Sequence, residues 1–168
     1  YLPIAVSILD SGLVCTATLP CPAEMGASIH INGTKSSVID TVFVCRTTGT
    51  VKAHDFRVSS AALEEMLKRD IADLDEAGHQ VGVGDTHCIL LGHMTRLAIW
   101  QLKDSWRASI DPEHKLRRVE KALNQIYPLG LLTKLVKKIL SQPIEMPLFT
   151  QLTTAEEQEN YGSEFISF

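Results

Sequence analysis

The sequence predicts an α/β fold, α+β when the chain is taken by itself: a helix and two strands that close a sheet, then a helical region. Three observations carry this. Two apolar, β-branched stretches, LVCTATLP (13–20) and SVIDTVFVCR (37–46), are set off by glycine, proline and serine. Beyond residue 59 almost every segment spaces its apolar residues three and four apart. The change of texture falls across the polar stretch TTGTVKAHDFR. The predicted organisation is residues 1–48 as an α/β piece, 49–58 as a connector, 59–141 as a helical region, and 142–168 as an extended or partly disordered tail.

In chain order, Leu2, Val6 and Leu9 recur at helical intervals and Gly12 marks the stop, with Pro3 tolerated in the first turn. The first strand follows, then a Pro/Gly-rich connection in which Asn32-Gly33 predicts a tight turn. The second strand contains the unbroken run Val42-Phe43-Val44, which predicts burial on both faces, as in the middle of an α/β sheet. Ser59 or Ser60 should cap a helix whose stripe is Leu63, Met66, Leu67, Ile71 and Leu74, ending at Gly78. Asp85 is the expected cap of the next segment, THCILLGHMTRLAIWQLKDSW, which is apolar around much of its circumference and therefore central. Asp111-Pro112-Glu113 combines cap, first-turn proline and acid, and opens a helix to Gln125 or Ile126. LLTKLVKKIL supplies a last short amphipathic helix.

The 168 residues carry a formal charge of −4, so no global basic field draws the chain to nucleic acid or anionic membrane. No apolar run approaches the roughly 20 residues that span a bilayer. The N-terminus YLPIAVSILDSG has no basic leader, starts in mid-pattern and reads as cut from a longer protein, with a reducing cytoplasm as the expected location. Four cysteines show no CxxC spacing, and His87 and His93, six apart, do not share a helix face, so no metal site is expected.

Three local features invite a chemical reading. Cys45-Arg46 resembles a thiol with an activating cation, but successive strand residues point to opposite faces, so the arginine is badly placed to act on the sulfur. A small cysteine finishing a buried strand is the better reading, and a thiol enzyme using Cys45 or Cys88 the lesser one. GVGD (82–85) precedes a helix but lacks the full dinucleotide fingerprint and the Walker lysine, and reads as a loop with an aspartate cap. Residues 103–138 hold nine basic against four acidic side chains. Within them Lys115, Arg117, Arg118, Lys121, Lys134, Lys137 and Lys138 are candidate phosphate contacts for DNA, or simply solvated helix faces.

Residues 1–46 also carry a family likeness. DSGLVCTATLPCPAE and DTVFVCR, with SIHINGTKSSVI between them, resemble the C-terminal end of the methyltransferase domain in DNA methylases of the adenine-specific type. That resemblance implies a Rossmann-like sheet whose last strands form a hairpin, with Glu24, Asp40, Cys45 and Arg46 as structural motif residues. It implies methyl transfer from S-adenosylmethionine to an exocyclic base amine, adenine in that family, and DNA modification, with restriction–modification, defence and housekeeping all open as its role. The motifs that such enzymes use, (Asp/Asn)-Pro-Pro-(Tyr/Phe) for the amine and a glycine-rich turn for the cofactor, do not occur here. No catalytic or cofactor-binding residue is therefore expected in this chain, which would act with the remainder of the methyltransferase domain and with DNA. The rival expectation is a noncatalytic α+β module for protein interaction or dimerisation. An open sheet edge would also invite pairing between copies as a homo-oligomer.

Overall fold

A computed structural model describes residues 1–23, 37–50 and 59–141. Helix α1 (Leu2–Asp10) takes Pro3 in its first turn and ends where Gly12 adopts φ +66°, the left-handed conformation that turns the chain into strand β1 (Leu13–Pro22). Strand β2 (Ile39–Thr47) returns antiparallel to it, with Leu13 opposite Thr47 and Pro22 opposite Ile39. Thr48 N–H donates to the Gly12 carbonyl and closes the base of the hairpin. The two strands form a two-stranded sheet.

Helix α2 (Ser60–Glu76) is capped by Ser59, whose hydroxyl accepts from Ala62 N–H at 3.1 Å. It stops at Gly78, φ +83°, with His79 N–H returning to the Leu74 carbonyl. Helix α3 (Val83–Leu102) follows, then a 3₁₀ turn (Lys103–Ser105). Helix α4 (Pro112–Ile126) starts under Asp111, which accepts from His114 N–H. A second 3₁₀ turn (Leu129–Leu131) leads into α5 (Leu132–Leu140).

The segment that is apolar all round does what that pattern requires: α3 touches both strands and every other helix. Around its Leu90, Met94, Ile99 and Trp100 gather Ala5 and Leu9 of α1, Leu63 and Leu67 of α2, Val119 of α4 and Val136 of α5, all buried. One core thus runs through hairpin and helices, and the change of texture after residue 48 does not divide it.

A bulge between Cys15 and Ala17 interrupts the hairpin ladder. The Cys15 carbonyl accepts from the Trp100 indole at 2.6 Å, and Thr16 Oγ1 donates to the Val44 carbonyl. A close contact lies further along. Gly92 of α3 sits so near Thr41 of β2 that an added Cβ would meet Thr41 Cγ2 at 2.8 Å.

Three local expectations need correction. Helix α3 begins at Val83, so Asp85 is its third residue and not its cap; the cap position is Gly82. The helix ends at Leu102, before the Trp106 to which the apolar pattern extended, because Lys103 to Ser105 tighten into the 3₁₀ turn. Val42-Phe43-Val44 is not buried on both faces: Phe43 packs inward, whereas Val42 is 44% exposed opposite Leu19 at 49%. Among the described residues helices cover only one side of this part of the hairpin, so Val42 on the other side stays partly in solvent. The Asn32-Gly33 turn, Glu24 and the tail from 142 lie outside the described residues.

Candidate functional site

The basic residues of α4 and α5 were the sequence's candidates for nucleic-acid contact, and the fold sorts them. Lys115 is only 8% exposed and places Nζ 2.8 Å from Asp10 Oδ2 of α1, so it is a strut between α1 and α4. Asp10 also accepts from the Trp106 indole, and these donors, Lys115 first, hold its carboxyl below the usual range. Arg117 pairs with Glu113 one turn earlier. Arg118 donates to the Ser105 carbonyl and hydroxyl and lies 5.3 Å from the Trp106 ring centroid. Lys138 reaches Glu64 of α2 at 2.8 Å. Lys121, Lys134 and Lys137 are exposed and make no ion pair among the described residues. Lys134 and Lys137, three apart on α5, share a helix face.

Cys45 and Arg46 separate as strand geometry demands. Arg46 is exposed, while Cys45 is half-buried on the other face and opposite Cys15. Burial raises the Cys45 thiol above its ordinary pKa, the reverse of what activation by a cation would do. Asp40 is exposed at the far end of β2, opposite Cys21. Cys88 donates to the Ile39 carbonyl at 3.1 Å and lies 3.0 Å from the Tyr1 hydroxyl, which burial first and Cys88 second push up to about 12.

The GVGD stretch is not an open anion cradle. Asp85 is 4% exposed, and its carboxylate takes the Gly82 N–H at 2.9 Å, so a negative group already occupies the positive end of α3. Its other oxygen accepts from Val38 N–H at 2.7 Å and lies 2.9 Å from the Ser37 hydroxyl. One aspartate therefore ties the start of β2 to the start of α3.

A second polar cluster was not foreseen, because its members come from three separate elements. His93 of α3 places Nε2 2.8 Å from Asp70 Oδ2 of α2 and Nδ1 3.0 Å from Thr18 Oγ1 of β1. With Asp70 ionised, Nε2 carries a proton and donates it; in the neutral ring Thr18 donates to Nδ1. The order hydroxyl, imidazole, carboxylate is that of a nucleophile–base–orienter set. Burial argues for a structural role: Thr18 is 7%, His93 1% and Asp70 7% exposed, which leaves no approach for a substrate carbonyl. A helical wheel held a signal, since Asp70 falls within the stripe of Leu63, Leu67, Ile71 and Leu74.

A cleft of about 260 Å³ lies beside the α1–β1 turn, with Asp10, Lys103 and Trp106 among its walls. It is smaller than the roughly 300–1,000 Å³ typical of small-molecule sites. Its charged groups already have partners, Asp10 with Lys115 and Lys103 with Asp104. No group of three or more His, Cys, Asp or Glu side chains is placed to hold a metal ion among the described residues. No helix among them is long and apolar enough to cross a membrane. No protein-family model matches the chain, and neither a curated protein nor a solved structure is significantly similar to it.

Proposed function

We propose that this chain is the C-terminal portion of an S-adenosylmethionine-dependent DNA amino-methyltransferase. It supplies the hairpin that closes the catalytic sheet, and a helical region that braces that hairpin and lends basic surface to DNA. The single observation that carries the reading is the succession α1–β1–β2, in which the segment ending in Val44-Cys45-Arg46 is the return strand of an antiparallel hairpin. The exposed pair Leu19 and Val42 supports it, since in a larger α/β sheet helices from elsewhere in the domain would cover that face. S-adenosylmethionine would supply the methyl group. The described residues do not fit that cofactor: the glycine-rich turn before α3 is closed by the Asp85 carboxylate.

The competing reading, a noncatalytic docking module, draws on the same exposed Leu19 and Val42 and on the pairing of Lys115, Arg117 and Lys138 within the chain. A DNA titration at several salt concentrations separates the two. Contacts by Lys121, Lys134 and Lys137 predict a log K against log salt slope of about −3, each lysine contributing about −0.9. Lys134→Gln should flatten the slope by about one contact, while Arg117→Gln should change it little. A chain with no salt-dependent DNA affinity supports the docking module. Tight binding of labelled methyl donor by this chain alone would overturn the assignment of cofactor chemistry to the rest of the enzyme.

A further inference from the structure

Cys15 and Cys45 face each other directly across the β1–β2 ladder. All four described cysteines carry free thiols. We propose that Cys15 and Cys45 form a latent cross-strand disulfide, a redox staple for the hairpin, made by exchange with a small-molecule disulfide of the glutathione class.

Residues directly opposite in an antiparallel pair have Cα atoms about 4.5 or about 5.5 Å apart, depending on their place in the ladder. Both values fall in the range of roughly 4.4–6.8 Å that a disulfide bridges, and Cys15–Cys45 is the last pair in register before the bulge that follows Cys15. The side chains share one face of the sheet, since directly paired residues do. They are also close enough to perturb each other: the neighbouring Cys45 adds to the rise that burial causes in the Cys15 pKa. The other two cysteines are placed differently. Cys21 stands opposite Asp40, and Cys88 is on α3, engaged with the Ile39 carbonyl and Tyr1.

The two thiols have unequal parts. Cys15 is 0% exposed, donates to the Ala17 carbonyl at 3.1 Å, and is pushed by burial up to about 12. Cys45 is half-buried and so the more accessible of the two, although burial raises its thiol as well. Cys45 is therefore the attacking group. Its thiolate displaces one glutathione thiolate from glutathione disulfide and becomes a mixed disulfide. Cys15 then gives up its proton, attacks the Cys45 sulfur and expels the second glutathione. Two protein thiols lose two electrons and two protons, and the small disulfide is reduced to two thiols. The closed loop spans residues 16–44, so the staple locks the β1–β2 register and restrains the connection between the strands.

The test treats the full folded chain with glutathione disulfide and maps its cysteines by non-reducing peptide mass spectrometry. The expected result is a Cys15–Cys45 cross-link, a mass lower by two hydrogens, and a melting temperature about 5–10 °C higher that dithiothreitol reverses. The rate should climb with pH, because Cys15 must deprotonate to resolve the mixed disulfide. Cys45→Ser should abolish the temperature shift. A glutathione adduct that persists on Cys45 without a link to Cys15 would overturn the proposal. So would a link through Cys21 or Cys88 in its place, or one that forms only in denaturant. The peptide map of the unsubstituted chain decides the matter even if Cys45→Ser does not fold.

Discussion

Gly92→Ala tests the packing on which the whole arrangement depends. In an isolated helix the change should help, since alanine is better than glycine by about 1 kcal/mol in a helix interior. Here the new Cβ would lie 2.8 Å from Thr41 Cγ2 and 3.3 Å from its Oγ1. Thr41 is β-branched and its hydroxyl lies 3.3 Å from the Tyr1 hydroxyl, so its side chain has little freedom to swing aside. Either α3 lifts off the hairpin or Thr41 leaves its rotamer, and such overpacking costs about 1–3 kcal/mol. The net expectation is a loss of about 1 kcal/mol. Thr41→Ser removes the offending methyl and keeps the hydroxyl. In that background the closest remaining atom is the oxygen at 3.3 Å, and Gly92→Ala should become neutral or stabilising by up to about 1 kcal/mol. Urea unfolding of the four proteins of this double-mutant cycle measures the coupling, expected at about 1–2 kcal/mol. If Gly92→Ala stabilises the chain equally with Thr41 and with Ser at 41, α3 does not cross the hairpin as described.

Three further expectations concern the polar ties. Asp85→Ala strands the Val38 and Gly82 amides in a part-buried setting and should cost about 3 kcal/mol, with exchange of the Val38 amide speeding up first; a loss under about 0.5 kcal/mol would remove Asp85 as the tie between β2 and α3. His93→Leu leaves a buried Asp70 without its ring partner and should cost about 3–5 kcal/mol, whereas His93→Gln, which retains a donor, should cost less; equal losses in urea melts would assign the effect to shape alone. The carboxyls of Asp10 and Asp111 are both held below their ordinary pKa in the folded chain, chiefly by Lys115 and by the His114 amide respectively. Their stabilising contribution is present above the unfolded value near 3.8 and is lost as pH falls through the lower folded values. Stability should therefore drop below about pH 4, and Asp10→Asn with Asp111→Asn should flatten that acid limb; an unchanged limb would place its origin elsewhere.

Much of the fold was legible because local rules and global packing agree. Ser59 and Asp111 cap the helices that follow them, and Gly12 and Gly78 adopt the positive φ that ends a helix. The all-round apolar segment is the central helix. What escaped depends on partners distant in sequence. Asp85 reads locally as a cap, and only the return of β2 shows that its second oxygen serves Val38, 47 residues away. Lys115 reads as one more cation in a basic stretch, yet it lies on the buried line of Val119, Ala122, Leu123 and Ile126. Its long stem suits that face, and the charge is met by Asp10, which a pattern confined to one helix does not reveal. Val42 departs from its pattern in the other direction, because an apolar run states that a strand suits burial on both sides, not that two covers are present.

The hairpin shows why the helical region belongs to it. Two strands alone are marginal in water. Here each half of the hairpin is tied to α3 by a different polar group: Cys15 by the Trp100 indole, Thr18 by His93, and Val38 by Asp85. Thr41 packs against the bare backbone at Gly92. These ties all reach the hairpin from α3, while Leu19 and Val42 on its other face remain about half exposed. A strand pair held firmly from α3 leaves Leu19 and Val42 half-exposed, and those side chains gain when something covers them. If it completes a methyltransferase sheet, the helices are the mould that presents the hairpin in the right register. If it docks another protein, the same mould sets the geometry of that contact. Under either reading, loosening α3 from Thr41 or Val38 should weaken association at Leu19 and Val42, none of which α3 itself need touch.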